Sequence, residues 1–219
     1  MNVLARLDET RGAVRVLEHP FYQRWSAGEL SAGELGCYAG EYRHAVVALA
    51  QAAEQAAAQA DPAHRAGLRL HAAEEAAHVG LWDQFARAAG TPPAGHGRAL
   101  PQTEACADAW TAGEDLLEHL AVLYAIEASQ PEVSRTKLEG LTTHYGYNAE
   151  GPAVEYFELH ESRDVEHARQ ARALIAELMA GVPDREEQAD RMVQRAHAAL
   201  RGNWQLLDGV QEQAAAGRA

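Results

Sequence analysis

Apolar residues recur along much of this chain at spacings of three and four positions, which is the pattern of helices that bury one face. Glycine, proline and serine interrupt the pattern and separate one predicted helix from the next. The longest predicted helices cover residues 32–60, 61–90, 152–181 and 183–215, and the longest irregular segment covers residues 91–100. The pattern predicts an all-α fold, a single domain over residues 1–219 built as a bundle of seven to eight helices with short connections.

Helix starts are marked by capping residues at three places. The units Ser26–Leu30 and Ser31–Leu35 share the sequence Ser-Ala-Gly-Glu-Leu, in which the serine and the glutamate three residues later predict a capping box. Asp61 followed by Pro62 predicts an N-cap and the first helical position. Each of the three is expected to begin a helix.

The chain carries 19 basic and 32 acidic residues, and its net charge is −13. Such a charge argues against nucleic acid or an anionic membrane surface as a partner. No apolar run approaches the roughly 18 residues needed to span a bilayer, and the N-terminal residues lack the pattern of a signal peptide. The two cysteines, Cys37 and Cys106, form no CxxC pair. We expect a cytoplasmic protein without disulfides.

One predicted helix carries His160, Asp164 and His167 in the spacing HxxxDxxH. Because a helix turns about 100° per residue, these positions project within an arc of roughly 60°. Two imidazoles and a carboxylate that converge in this way suit a transition metal. The alternative interpretation is a solvated polar face, since several other charged residues lie on the same helix.

Further ligands can come from two other predicted helices. Glu75 and His78 form an ExxH pair, the spacing of carboxylate-bridged dimetal proteins, with Glu74 as an alternative to Glu75. Glu127 lies in the apolar segment LAVLYAIEAS, where a buried carboxylate needs a metal or an ionic partner. The combined set predicts two first-row metal ions, iron or manganese. The candidate ligands are Glu74, Glu75, His78, Glu127, His160, Asp164 and His167.

These residues also have purely structural interpretations. Acidic pairs are common on helix surfaces, and Glu127 could form a buried ion pair with Arg43 or Arg135. Five histidines outside the motifs are interpreted as ordinary histidines: His44, His71, His119, His144 and His197.

Lys137 is the only lysine in the chain, while the other 18 basic residues are arginine. A buried lysine can lose its proton and act as a nucleophile or nitrogen donor, whereas arginine stays charged. The composition therefore indicates Lys137 as a position that needs a primary amine. Chance survival of one surface lysine is the alternative.

The segments around these candidates resemble those of the haem-oxygenase-like dimetal oxidases, and among them those of the CADD-type para-aminobenzoate synthases. The resemblance implies the helical bundle that this family shares with haem oxygenase, TenA and PqqC. It extends from His19 to about Met179 and rests on HPFYQRWSAGEL (His19–Leu30), LGCYAGEY (Leu35–Tyr42), EEAAHVGLW (Glu74–Trp82), LYAIEASQP (Leu123–Pro131), RTKLEGLT (Arg135–Thr142) and YFELHESRDVEHARQARALI (Tyr156–Ile175).

The resemblance also implies a ligand set. The family pattern falls on His78, Glu127, His160, Asp164 and His167. The first glutamate is less clearly matched, because the spacing before His78 is shorter than in CADD-type proteins. That spacing favours Glu75 and leaves Glu74 open.

The chemistry implied by the resemblance is the formation of para-aminobenzoate from one of the protein's own tyrosine side chains. Tyr22 and Tyr38 match the family's two tyrosines, and Lys137 matches its internal amino donor. Dioxygen would be the co-substrate at an Fe/Fe or Fe/Mn pair, with an external reductant. Ile126 departs from the family, which has tyrosine beside the metal-binding glutamate.

Two other functions fit parts of the sequence. A dimetal oxidase could act on an external amino acid or fatty acid, with Arg43, His44 or Arg135 as an anchor for its carboxylate. A non-enzymatic helical binding protein would carry the same histidines and glutamates on solvated faces. Oligomeric state stays open, with a homodimer as one candidate, since dimers are common for such bundles.

Overall fold

The computed structural model describes residues 2–91 and 98–216. Its α-helices are α1 (Val3–Ala13), α2 (Pro20–Ser26), α3 (Ala32–Gln59), α4 (Arg65–Ala88), α5 (Pro101–Thr111), α6 (Leu116–Glu127), α7 (Gln130–His144), α8 (Glu155–Met179) and α9 (Arg185–Ala216). A single 3₁₀ turn, Val16–Glu18, follows α1. The structure confirms the all-α prediction. Most of the irregular segment predicted at residues 91–100 lies outside the described residues.

The helix caps agree with the sequence at one of the two repeated units. Ser31 forms the predicted capping box with Glu34 at the start of α3, through Ser31 Oγ and the Glu34 carboxylate. The prediction of a second box at Ser26 is wrong, because Ser26 is the last residue of α2. Gly28 follows with a positive φ of 72°, a conformation that ends a helix and that glycine adopts without strain.

Helix α4 also begins later than the Asp61–Pro62 pair predicts. The Asp61 carboxylate accepts hydrogen bonds from the backbone N–H groups of Ala63 and His64, so it caps a turn and not the helix itself. The helix then starts at Arg65. This shift leaves the register of the downstream ligand motif unchanged.

The core is built around α3, which packs against α4, α5, α6 and α9. Its buried face is rich in small residues, including Ala45, Ala48 and Ala52, so neighbouring helices can approach closely. Helix α8 packs against α4, α6 and α7. These contacts place α8, which carries one set of candidate ligands, against both α4 and α6, which carry the others.

Helix α7 is held against α2 by one close contact. The indole N–H of Trp25 donates to the backbone carbonyl of Lys137 at 3.2 Å. A Cβ on Gly140 would lie 2.5 Å from the Trp25 ring, so this approach requires glycine. This contact fixes the position of Lys137 along the axis of α7 relative to α2.

Among the described helices, none combines the length and the apolar character that crossing a bilayer requires. Cys37 and Cys106 are free thiols, as predicted.

Candidate metal centre

Helices α4 and α8 present matching ligand motifs that run in opposite directions. His71, Glu75 and His78 on α4 have the spacing HxxxExxH, which repeats the HxxxDxxH spacing of α8 with glutamate in place of aspartate. Across the two helices, the rings of His71 and His167 lie 4.1 Å apart, and those of His78 and His160 lie 4.5 Å apart. The two helix faces therefore pair residue by residue around a shared centre.

The first cluster is called here the four-donor group and consists of His71, Glu75, Glu127 and His167. One ligand atom from each lies within 4.8 Å of the others. Glu127 Oε1 is 2.8 Å from His71 Nε2, and Glu75 Oε1 is 3.5 Å from His167 Nδ1. Glu127 enters from the last residue of α6, so this group joins three helices.

The second cluster is the three-donor group, formed by Glu75, His78 and His160. Glu75 Oε1 lies 3.2 Å from His78 Nδ1. Because Glu75 belongs to both groups, its carboxylate would contribute to both sites if two ions bind. Asp164 lies between the groups on α8, with Oδ1 at 3.6 Å from His167 Nδ1.

Buried polar atoms without hydrogen bonds concentrate at these two groups. In the described part of the chain they include His160 Nε2, Glu127 Oε2 and Asp164 Oδ2. Six further donor atoms have only histidine–carboxylate contacts of 2.8–3.8 Å within the two groups: His71 Nε2, Glu75 Oε1, His78 Nδ1, Glu127 Oε1, Asp164 Oδ1 and His167 Nδ1. Each unsatisfied group of this kind costs about 1–3 kcal/mol, and more when it is charged. Imidazole nitrogens and carboxylate oxygens are the donors that iron and manganese accept. The residues therefore fit a dimetal centre.

Two of the imidazoles are oriented by hydrogen bonds on the side away from the centre. His160 Nδ1 lies 2.6 Å from the backbone carbonyl of Tyr156, which leaves Nε2 free to bind. His167 Nε2 lies 2.9 Å from the Glu74 carboxylate, and Arg163 holds the same carboxylate at 2.5 Å. Such outer partners fix the tautomer and direction of a metal-binding histidine.

The choice between the two adjacent glutamates is clear in the structure. Glu75 is buried in both donor groups, while Glu74 is half-buried and bound by Arg163 and His167 Nε2. Glu74 therefore lies beside the centre and supports His167. The i+3 and i+4 spacings alone could not separate the two residues, because both lie on one helix face.

His71, interpreted from the sequence as an ordinary histidine, lies in the four-donor group, where its ring is placed to act as a ligand. The signal that would have identified it is the position of His71 four residues before Glu75 and seven before His78. The alternative partners for Glu127 are wrong: Arg43 pairs with Asp83, and Arg135 pairs with Glu161. Nor do the donor side chains lie on solvated faces, since all of them are buried.

Burial and crowding shift the protonation of the centre. Burial, with the nearby charges of Glu127 and Glu75, raises the pKa of Asp164 to about 7. Burial and the neighbouring His78 lower the pKa of His160 to about 4. Burial opposes the charge on His167, but bonds to Asp164 and nearby carboxylates raise its pKa to about 9. Metal ions would displace these protons, so metal affinity should fall as the pH is lowered.

Lys137 and the two candidate tyrosines share a closed compartment beside the centre. The Lys137 side chain is buried, and its Nζ lies 5.5 Å and 5.6 Å from the ring centroids of Tyr22 and Tyr38. The two tyrosine hydroxyls are 3.0 Å apart and hydrogen-bonded. A third tyrosine, Tyr42, has its ring 4.5 Å from Nζ and was not singled out by the sequence. Lys137 Nζ lies 5.8 Å from the ring centroid of Trp82, which contacts Tyr156 beside His160, so the compartment adjoins the donor groups.

Aromatic rings connect the donor groups to this compartment. Tyr156 stacks on His160 with ring centroids 3.9 Å apart. Trp82 lies 4.9 Å from Tyr156 and 5.9 Å from Tyr38, again between centroids. These contacts form a continuous series of aromatic rings from His160 to Tyr38.

Replacement of His71 by alanine should reduce the bound metal from two ions per chain to one, because the four-donor group loses a ligand while the three-donor group stays complete. Metal analysis of protein loaded anaerobically with iron(II) measures this. His119 is a matched control, since it is also buried but lies near Gln59 at 3.3 Å, away from the centre. His119→Ala should keep both ions. Two ions in His71→Ala would remove His71 from the ligand set.

Comparison with known sequences agrees with a metal-binding redox site. A family described as iron-containing redox enzymes matches residues 71–204, a range that includes all the donor residues. A 4-aminobenzoate synthase from Chlamydia trachomatis is 31% identical over 95% of this chain and 91% of its own length. A 4-aminobenzoate synthase from Chlamydia muridarum is 33% identical over 88% of this chain and 86% of its own length.

Comparison with solved structures agrees with the fold. A TenA homologue from Pseudomonas syringae superimposes with a TM-score of 0.81 at 16% identity, covering 96% of this chain and 91% of that one. A domain with a heme oxygenase-like fold from Shewanella denitrificans gives a TM-score of 0.80 at 18% identity, covering 99% and 95%. At such identities the likeness concerns the fold alone.

Proposed function

Because the chain belongs to the family of iron-containing redox enzymes with a haem-oxygenase-like fold, we propose that it forms 4-aminobenzoate from one of its own tyrosine side chains. The observation that supports this most is the closed compartment. The only lysine of the chain is buried there against Tyr22 and Tyr38, next to the donor groups. A reaction between these residues needs no organic molecule from outside.

Two metal ions would be held by His71, Glu75, Glu127 and His167 on one side and by Glu75, His78 and His160 on the other, with Asp164 between them. When bound, iron or an iron–manganese pair would activate dioxygen and supply the oxidising power. Glu74 and Arg163 hold His167 in its binding orientation. The chain's part in the chemistry is then to bring tyrosine and lysine together in a dry space.

The carbon skeleton of the product fits a tyrosine side chain. The seven side-chain carbons of tyrosine become the seven carbons of 4-aminobenzoate, so the Cα–Cβ bond breaks and Cβ becomes the carboxyl carbon. Nitrogen replaces the phenol oxygen, and the Nζ–Cε bond of Lys137 breaks to supply it. The tyrosine residue becomes glycine, and Cε of Lys137 is left as an aldehyde. Two molecules of dioxygen, with two electrons from an external reductant and two protons, balance the change: they supply the oxygen of the carboxyl group and the aldehyde, and two molecules of water are released.

The protonation states in the compartment suit this role. Burial lowers the pKa of Lys137 to about 7, so a large share of the side chain is a neutral amine with a free electron pair near neutral pH. Burial raises the pKa of Tyr22 and of Tyr38, so both phenols keep their protons. The hydrogen bond between the two hydroxyls gives a tyrosine that is oxidised a neighbour to receive its proton.

A dimetal oxidase acting on an external organic substrate is the second candidate. A cavity of about 350 Å³ reaches His71 and His167 from the solvent, which favours it. The carboxylate anchors expected from the sequence do not, because Arg43 and Arg135 are paired elsewhere and do not line this cavity.

Intact-mass spectrometry separates the two candidates. Protein loaded with iron(II), or with iron and manganese, and exposed to dioxygen and a reductant should yield 4-aminobenzoate. The mass of the protein should fall by the difference between tyrosine and glycine, together with the small change from the Lys137 amine to an aldehyde. Peptide mapping should then find the loss at residue 22 or 38. If Tyr22 is the residue consumed, Tyr22→Phe should abolish the product, and if Tyr38 is consumed, Tyr38→Phe should do so. Tyr42→Phe is the matched control, since Tyr42 lies equally deep beside Lys137 and should still allow the product to form.

An unchanged protein mass after turnover with oxygen would contradict the self-consuming reaction. Conversion of an added amino acid or fatty acid by the unchanged protein would favour the second candidate instead.

A further inference from the structure

The cavity that reaches the centre has an apolar interior and a polar mouth. Leucines from three helices line it: Leu68 on α4, Leu120 and Leu123 on α6, and Leu174 on α8. His71 and His167, both buried members of the four-donor group, form its inner end. Side chains exposed to solvent, among them Arg169 and Glu177, surround its outer end.

The cavity and the lysine compartment contact different parts of the centre. None of Tyr22, Tyr38 or Lys137 lines the cavity, and all three side chains are buried. Two other cavities in the described ranges, between α1 and α7 and between α1 and α9, touch no residue of the donor groups. The centre therefore has one side closed over the reacting side chains and another side that opens through an apolar passage.

Apolar parts of protein cavities take up small apolar molecules such as xenon or benzene. Dioxygen is small, uncharged and apolar, so the leucine-lined part of this cavity suits it. We propose that this cavity is the route by which dioxygen reaches the metal centre, with His71 and His167 at its end. The proposal rests on the oxygen chemistry of the proposed function, but not on the identity of the product.

Glycines on α4 allow the passage to be blocked with a matched control. Gly67 lines the cavity, and a Cβ there would meet no atom within 4 Å, so a larger side chain can start at this position and Gly67→Phe is chosen to cover the opening. Gly80 lies on the same helix with equally open surroundings but outside the cavity, which makes Gly80→Phe the control. Ala171→Phe, from α8, fills the same space from the opposite wall.

Two measurements test the route. Crystals of the protein pressurised with xenon should show xenon in the cavity of the wild type and Gly80→Phe, and none in Gly67→Phe or Ala171→Phe. After anaerobic loading to equal iron(II) content, the blocked variants should be oxidised by limiting dioxygen about tenfold more slowly than Gly80→Phe.

A wild-type cavity that takes up no xenon, or a variant that excludes xenon yet oxidises iron at the control rate, would overturn the proposal. Iron(II) that dioxygen oxidises in none of the variants would overturn it as well. Slower oxidation in the blocked variants, in a protein that never forms 4-aminobenzoate, would support the route and contradict the proposed function alone.

Discussion

Replacement of Glu75 by alanine should leave the protein without a stable metal pair. The Glu75 carboxylate is the single member shared by both donor groups, and its Oε1 lies within 3.8 Å of the imidazole nitrogens of His71, His78 and His167. Without it, the three-donor group retains two imidazoles, which hold iron(II) or manganese(II) weakly. Metal analysis should find less than one ion per chain, and oxygen-dependent chemistry should be lost.

The adjacent glutamate provides the control for this substitution. Glu74→Gln keeps the helix and both donor groups but weakens the contacts to Arg163 and His167. Loss of such an outer partner typically lowers metal affinity by about 10–100-fold, so this variant should still bind two ions at higher metal concentration. Far-UV circular dichroism should show equal helix content in the two variants. Two tightly bound ions in Glu75→Ala, with none in Glu74→Gln, would reverse the assignment.

Replacement of Lys137 should abolish formation of 4-aminobenzoate without loss of the metals. Arginine keeps a positive charge but cannot become a neutral amine, and methionine keeps the length of the side chain without any nitrogen. Both variants should give no product above background, a fall of about 100-fold or more. Mass spectrometry and metal analysis of the same samples measure the two effects. Product at the wild-type level in Lys137→Arg would exclude Lys137 as the nitrogen donor.

The methionine variant also tests why a lysine is kept at this position. Lowering the pKa of Lys137 from 10.5 to about 7 corresponds to on the order of 4 kcal/mol of lost stability at pH 7. The surrounding rings attract the ammonium by only about 2 kcal/mol. Because the pKa of Lys137 is lower in the folded protein than in the unfolded chain, the protein loses stability as the pH falls from about 10.5 to 7. Lys137→Met should therefore unfold at a higher denaturant concentration at pH 7, while it fails to make product.

Much of the metal centre follows from the sequence because its ligands repeat within single helices. His160, Asp164 and His167 share one face by helix geometry alone, and Glu127 stands out because its neighbours in the sequence are apolar. A single histidine such as His71 carries no signal in the sequence unless its spacing from Glu75 and His78 is compared with that of the motif on α8. The two motifs do match, because His71, Glu75 and His78 on α4 have the same spacing as the motif on α8.

Other features depend on which helices meet and are not encoded locally. The role of Glu74 follows from Arg163, a residue 89 positions away in the chain. The contact of Lys137 with Tyr22 and Tyr38 joins α7 to α2 and α3, and only packing brings these rings around one amine. The start of α4 differs from the sequence prediction by a few residues, and the start predicted at Ser26 is absent, because helix ends also depend on the surrounding structure. Ser26 has the local sequence of a cap, but it lies in the final turn of a helix that begins earlier.

The two donor groups have unequal numbers of ligands, which predicts an order of metal binding. Glu127 belongs only to the group that contains His71 and His167, so we expect the first ion to bind there and the second to bind beside an ion already present. A chain given a single equivalent of metal would thus be half-loaded rather than divided between empty and full molecules. The metal supplied second would bind at the group with fewer donors. The composition of a mixed pair would therefore depend on the order of supply as well as on the affinity of each group.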